Sequence, residues 1–257
     1  MLLCIDLGNT NITLGLYEDD DLHYHWRLNT DHHKMPDEYG MLLLSLLAHA
    51  GHRPQEVTGI CLCSVVPPLT GILEQTCSLY FEQKPLTVDV GVKTGVKIRY
   101  DNPREVGADR VVDAAAVYRF YGGPACIVDF GTGTTFDAIS AEGDYLGGAI
   151  APGIGIAAEA LFMRAAKLPR IDLVRPPNVI GTNTVHSMQS GLLFGYVCLV
   201  EGMVARFRAE LGRDMKVIGT GGLVELIAQE TRVIEIIDPW LTLKGLRLIY
   251  ELNRPQG

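Results

Sequence analysis

Cys126-Ile-Val-Asp-Phe-Gly-Thr-Gly-Thr-Thr-Phe-Asp137 repeats, in altered form, the stretch with which the chain begins, Leu3-Cys-Ile-Asp-Leu-Gly-Asn-Thr-Asn-Ile-Thr13. In each, an apolar run of buried-strand type delivers an aspartate (Asp6, Asp129). A hydrophobe, a glycine and hydroxyl or amide side chains follow, before a second apolar alternation begins. The pattern predicts a strand, a tight turn and a strand, built twice. Gly8 and Gly131 let the backbone bend and approach a ligand closely. The N–H groups of such a turn converge on an anion, helped by Asn9, Thr10, Thr132, Thr134 and Thr135. A carboxylate at the strand end repels phosphate unless a cation stands between them, so Asp6 and Asp129 imply bound metal ions, directly or through water. Ordinary hairpins also carry Asp and Gly at their turns, but two copies in matching contexts speak against that reading.

A chain of 257 residues allows one large domain or two smaller ones, and is long enough to bury a substantial core. With 47% hydrophobic and 20% charged residues it reads as globular and not as disordered. The net charge of −8 argues against a sequence-independent grip on nucleic acid or on an anionic membrane. The six cysteines include no C-x-x-C pair and mostly fall in apolar strand-like runs, which favours reduced core thiols over disulfides or a metal site. Asp6 interrupts the first apolar run, so no signal peptide is expected. The apolar stretch from Gly191 to Val200 is well short of the roughly 18 residues that a membrane span needs. A cytoplasmic location is the expectation.

In chain order, strands are predicted at 2–7, 12–17 and 22–28, a helix at 36–50, a strand at 57–65, a helix from 67 to about 80 and a short strand at 86–88. His23 and His25 share one face of the third strand but lack a third ligand, so they read as a solvated face. A polar segment, Asp101-Asn-Pro-Arg-Glu-Val-Gly-Ala-Asp-Arg110, then runs into a helix over 111–121. Asp109 and Arg110 stand at its beginning, and Asp113 lies one turn further on the same face. Asp109 either complements the helix dipole or, with Arg110, offers a base and an anion clamp to a substrate. The order then repeats: strands at 126–130, 134–140 and 145–150, helices, a strand at 216–219, a helix from 223, a strand at 233–236 and a last helix over 241–252. Gly191 and Gly195, at i, i+4 in a long helix over 185–211, suggest a close helix–helix approach, within the chain or with another subunit. The reading is a duplicated α/β fold, two β-β-β-α-β-α halves at 1–115 and 116–257 with a cleft between them.

No G-x-x-x-x-G-K-[ST] occurs, so a P-loop is excluded. Gly153-Ile-Gly-Ile-Ala-Ala158 satisfies G-x-G-x-x-A, with Asp172 about 20 residues on, as a dinucleotide site would require. Against that reading, Asp172 lies in Pro-rich sequence and three antiparallel-looking strands precede the motif. Gly219-Thr-Gly-Gly222, between a strand and a helix, offers flat backbone to an adenine and its ribose, or is a plain helix entry.

The two Asp-x-Gly turns and Gly219-Thr-Gly-Gly222 resemble the phosphate and adenosine motifs of the actin-like ATPase superfamily, whose fold is ribonuclease H-like. Within it the sequence closely resembles type III pantothenate kinases. The match is carried by Asp6-Leu-Gly-Asn-Thr-Asn-Ile12, Ser64-Val-Val-Pro67, Tyr100-Asp-Asn-Pro103, Gly107-Ala-Asp-Arg110, Asp129-Phe-Gly-Thr132, Gly147-Gly-Ala-Ile-Ala-Pro-Gly153 and Gly181-Thr-Asn-Thr184. The resemblance implies ATP-dependent phosphorylation of pantothenate, the first step of coenzyme A synthesis, by a cytoplasmic homodimer using Mg2+ and a monovalent cation, K+ or NH4+. It implies that Asp6, Leu7, Gly8, Asn9, Thr10, Asn11, Ile12 and Thr13 bind the ATP phosphates, that Asp6 organises Mg2+ through water, and that Thr132 also contacts ATP. It further implies that Asp129 holds the monovalent cation, that Tyr100, Gly107, Ala108, Asp109, Arg110 and Thr184 line the pantothenate site, and that Asp109 accepts the proton. A non-catalytic regulatory homologue and another small-molecule kinase of the superfamily are the alternatives. Intact Asp6, Asp109 and Asp129 favour the enzyme over the first, and Gly107 to Arg110 with Tyr100 favour pantothenate over the second.

Overall fold

In the computed structural model, whose described residues are 1–254, the opening repeat folds as its alternation predicts. β1 (Leu2–Leu7) pairs antiparallel with β2 (Asn11–Glu18), and β2 pairs antiparallel with β3 (Asp21–Asn29). On its other side β1 is parallel to β4 (Gly59–Ser64), which is parallel to the two-residue β5 (Leu86–Thr87). Parallel neighbours need crossovers, and α1 (Pro36–His49) and α2 (Pro67–Phe81) supply them, each opening on a proline at its first turn.

The two faces of this sheet are chemically different. Leu3, Ile5 and Leu7 of β1, with Ile60 and Leu62 of β4, bury against Leu43 and Leu47 of α1 and Leu69 and Leu73 of α2. The intervening residues, Cys4, Asp6, Cys61 and Cys63, face the other way. Small side chains there let helices come close. Tyr250 of α7 (Leu241–Asn253) covers Gly59, and a Cβ on Gly15 would stand 2.9 Å from Leu243 Cδ1. Gly245 in turn lies on Val112 of α3 (Ala108–Tyr121). The six cysteines are all free; Cys4, Cys61, Cys63, Cys77 and Cys126 are buried as small hydrophobes, and burial pushes the thiols of Cys61, Cys77 and Cys126 up to about 12, whereas Cys198 is exposed and is not the core thiol expected.

The second sheet repeats the first. β6 (Ala125–Phe130), β7 (Gly133–Ile139) and β8 (Tyr145–Pro152) form the antiparallel meander, and β6 is parallel to β9 (Lys216–Thr220), which carries β10 (Ile236–Ile237). The strand order β8-β7-β6-β9-β10 matches β3-β2-β1-β4-β5 position for position. α4 (Ile154–Arg164), α5 (Thr184–Leu211) and α6 (Val224–Ala228) complete this part. Leu192, Leu193, Val197, Val200 and Val204 of α5 bury against Val128, Phe130 and Phe136.

The chain forms two compact units: residues 1–96, 102–116 and from Thr242 onward, and residues 97–101 with 117–241. The last helix thus belongs with the first sheet, because Leu243, Leu246 and Ile249 are buried there against the small-residue face. The strand expected at 233–236 is displaced to Ile236–Ile237; Ile234 turns its side chain toward Gly219 and Val224 before pairing begins. Among the described residues nothing lies within 4 Å of a Cβ built on Gly191 or Gly195, so neither is pressed against another helix, and Gly191 borders a hollow instead. Among the described residues α5 is the one helix long and apolar enough to cross a membrane, and 44% of its most apolar window is buried within the protein.

Candidate active site

Asp6 stands near the end of β1, beside Thr13 on one neighbouring strand and Cys63 on the other. The turn that follows is held by its own backbone and by one distant hydroxyl. Gly8 N–H donates to Asn11 O at 3.0 Å, Thr30 N–H donates to Thr10 O at 2.9 Å, and Thr30 Oγ1 donates to Gly8 O at 2.6 Å. Leu7 and Ile12 anchor the turn in the core while Asn9, Thr10 and Asn11 are exposed. Thr30, just beyond β3, is a residue that sequence reasoning missed; nothing local to it signals that it braces a turn 22 residues away.

The polar segment before α3 is built by side-chain capping. Asn102 Oδ1 accepts the N–H of Arg104 at 3.3 Å, starting a short 3-10 turn over Pro103–Glu105, and Gly107 then leads into the helix. Asp109 is the second residue of α3, and its Oδ1 accepts the N–H of Arg110 at 2.8 Å. Burial of this carboxyl raises its pKa, opposed by the bond from Arg110 N–H, the Arg110 charge and its own N–H. A Cβ on Gly107 would come 2.5 Å from Asp109 Oδ1 and 3.6 Å from Val65 Cγ1, so the glycine makes room for the carboxylate. The Cys63 thiol is fully buried, and its pKa is pushed up by that burial and then by the charges of Asp6, Asp109 and Asp113. Folding therefore brings Asp6 and Asp109, far apart in sequence, to the same small-residue face of the first sheet, with the buried Asp113 one turn behind.

In the second unit Asp129 occupies the place that Asp6 has in the first, flanked by Thr135 and Thr220. Gly221, at φ +90°, rests against Asp129 Oδ1 and the Phe130 backbone, where any Cβ would collide. Gly219 to Gly222 thus closes on the Asp129 turn. Gly153 N–H donates to Thr132 O at 3.1 Å, and its missing Cβ lets α4 start against the Gly131 and Thr132 carbonyls. That is the use of Gly153, while a Cβ on Gly155 would find open space, and Asp172 lies outside any strand, its carbonyl accepting from Gln189 Nε2, so the dinucleotide reading fails. Tyr100 is half-exposed and stands over Gly147, whose Cβ would lie 3.4 Å from its ring. Thr184 opens α5, capped by Asn183, and borders a hollow of about 770 Å³ with Leu161, Leu168 and Gly181.

Among the described residues no group of three or more His, Cys, Asp or Glu converges as a metal site, and His23 and His25 form none. A single strand-end carboxylate suits Mg2+, which keeps water and takes substrate phosphate oxygens for most of its ligands.

The family model of type III pantothenate kinases matches residues 2–206. This chain belongs to that family. A type III pantothenate kinase of Moorella thermoacetica is 55% identical to it over 253 residues, spanning 98% of this chain and 100% of the relative. Among solved structures, a protein of Campylobacter jejuni assigned to a Baf family of transcriptional activators superposes with TM-score 0.64 at 20% identity, covering 98% of both chains. An inorganic polyphosphate/ATP-glucomannokinase of Arthrobacter sp. strain KM superposes with TM-score 0.51 at 13% identity, covering 98% of this chain and 99% of the other. At those identities the likeness is one of fold, and the pantothenate kinase family member has the duplicated ribonuclease H-like architecture of actin-like ATPases and sugar kinases.

Proposed function

We propose that Asp109 is the base in the ATP-dependent phosphorylation of pantothenate, the reaction that membership of the family gives this chain and the first step of coenzyme A synthesis. The observation that carries this reading is the setting of its carboxyl. Enclosed beside Gly107 with its pKa raised, it holds a proton more strongly than an exposed aspartate does. Asp109 takes the proton of the primary hydroxyl of pantothenate as that oxygen bonds to the γ-phosphorus of ATP and the bond from phosphorus to the ADP oxygen breaks. Arg110 pairs its planar guanidinium with the substrate carboxylate. Tyr100, Gly107, Ala108 and Thr184 line the rest of the pantothenate site.

Asp6, Leu7, Gly8, Asn9, Thr10, Asn11, Ile12 and Thr13 hold the ATP phosphates, a role supported by the exposed, braced turn at Asn9 to Asn11, and Thr132 also contacts ATP. Asp6 would hold Mg2+ through water and Asp129 a monovalent cation, K+ or NH4+; such ions neutralise charge on the transferring phosphoryl group. The protein acts as a homodimer in the cytoplasm. The open face of α5 at Gly191 and Gly195 and the exposed Ile150, Met163, Val179 and Ile180 of the second unit support the assembly.

The test is ADP release by the purified protein with ATP and Mg2+, with and without pantothenate, in K+ and again in Na+. Pantothenate-dependent release that requires K+ supports the reaction and the cation role of Asp129. Release that ignores K+ removes the cation assignment, and none in any condition overturns the reading.

A further inference from the structure

Asp137 is a carboxylate of the second unit with no role above, and it is almost wholly buried, 2% exposed, within β7. A carboxylate in that setting needs donors. Two hydroxyls supply them: Tyr145 Oη donates to Asp137 Oδ1 at 2.8 Å, and Thr135 Oγ1 donates to Oδ2 at 3.0 Å. Tyr145, at the start of β8, is itself fully buried, so a ring packed on its sides and tied at its hydroxyl has one orientation. Against it leans Tyr100, with ring centroids 6.4 Å apart and planes tilted by 47°. The backbone before Tyr100 is fastened to the same residue. Tyr145 N–H donates to Lys97 O and Arg99 N–H donates to Tyr145 O, both at 2.8 Å, and Arg99 Nε holds Asp144 at 2.7 Å. Beneath the Tyr100 ring, Gly147 at φ +120° leaves the space that the ring covers. Tyr100 is thus set from below by Gly147 and from the side by Tyr145, and its remaining surface, 36% of the residue, is exposed.

We propose that Tyr145 and Asp137 are positioning residues for pantothenate: the buried hydroxyl–carboxylate pair fixes the Tyr145 ring and, through it, the surface that Tyr100 offers the substrate. This rests on the reading of Tyr100 as a wall of the pantothenate site. A pair that merely held the sheet together would lower stability without preferring one substrate over the other.

The experiment compares Tyr145→Phe, Asp137→Asn, Tyr100→Ala and the double variant Tyr100→Ala/Tyr145→Phe by KM for pantothenate, KM for ATP, kcat and Tm. Tyr145→Phe is expected to raise the pantothenate KM about fivefold or more while the ATP KM stays within about twofold. In the double variant the pantothenate KM should be no worse than in Tyr100→Ala alone, because Tyr145 acts through Tyr100. An unchanged pantothenate KM in Tyr145→Phe, an equal rise in both KM values, or losses that multiply in the double variant overturn the proposal while leaving the site reading intact. An unchanged pantothenate KM in Tyr100→Ala removes the site reading and the proposal with it. Should Tyr145→Phe fail to fold, Asp137→Asn, which keeps the size of the side chain, carries the same comparison.

Discussion

Asp109 is held where its charge costs stability. Its pKa is raised in the fold, so the folded state binds the proton more tightly than the unfolded chain does. The stabilisation that goes with this is present below the ordinary aspartate value and is lost as pH rises through the raised one. Asp109→Asn removes that loss: its Tm should equal that of the parent in acid and exceed it at neutral pH, while turnover drops about 10²-fold or more. Thermal melts across pH with matched kinetics check both. A Tm advantage without a turnover loss would take Asp109 out of the base role. Gly107→Ala separates placement from stability in the same way. The added methyl would crowd Asp109 Oδ1, the end of a side chain, so the carboxylate swings and the backbone stays. Turnover should fall at least tenfold with a stability change of about 1 kcal/mol or less. The presence of Asp109, Arg110 and the glycine was legible locally, because helix-start chemistry is written in adjacent residues. The enclosure of the carboxyl was not, since Cys63 of β4 and Val65 just beyond it, which packs by Gly107, come from more than 40 residues away.

At the scale of elements, the turn after β1 is shaped by a hydroxyl from beyond β3. Thr30→Val keeps the size of the side chain and removes the bond to Gly8 O, which should cost about 1 kcal/mol. By the phosphate reading the loosened turn raises the ATP KM several-fold and leaves the pantothenate KM near its parent value, and initial-rate kinetics with each substrate varied tell the two apart. α7 makes a second case. Gly245 touches the Val112 carbonyl and Gly59 lies under Tyr250, so the helix sits as close to its sheet as missing side chains allow. Gly245→Ala meets backbone and not a flexible end, and should destabilise by about 1–3 kcal/mol in chemical denaturation. Both strand meanders and most helices could be read from period and punctuation. The place of α7 could not, because a helix that follows the second sheet in sequence carries no local mark of packing on the first.

For the whole molecule, the duplication is the organising fact. Two sheets of one strand order each carry an aspartate near the end of a central strand, and Asp129 lies beside Gly221, a glycine that only folding brings to it. Sedimentation equilibrium at micromolar concentration should give a mass of two chains, twice 28.1 kDa, and a mass of one chain would remove the homodimer from the reading. The sequence by itself determined the repeated strand–turn–strand units, the core placement of the cysteines in its apolar strand runs, the absence of a P-loop and the family, because each is a property of neighbouring residues or of their spacing. Tertiary structure alone decided that Asp6, Asp109 and Asp113 gather around one buried thiol, that Gly221 closes on Asp129, and that a buried Tyr145–Asp137 pair stands behind Tyr100. Those groups meet through register between distant strands and through helices seated on small residues, and no local pattern encodes contacts made at such separations.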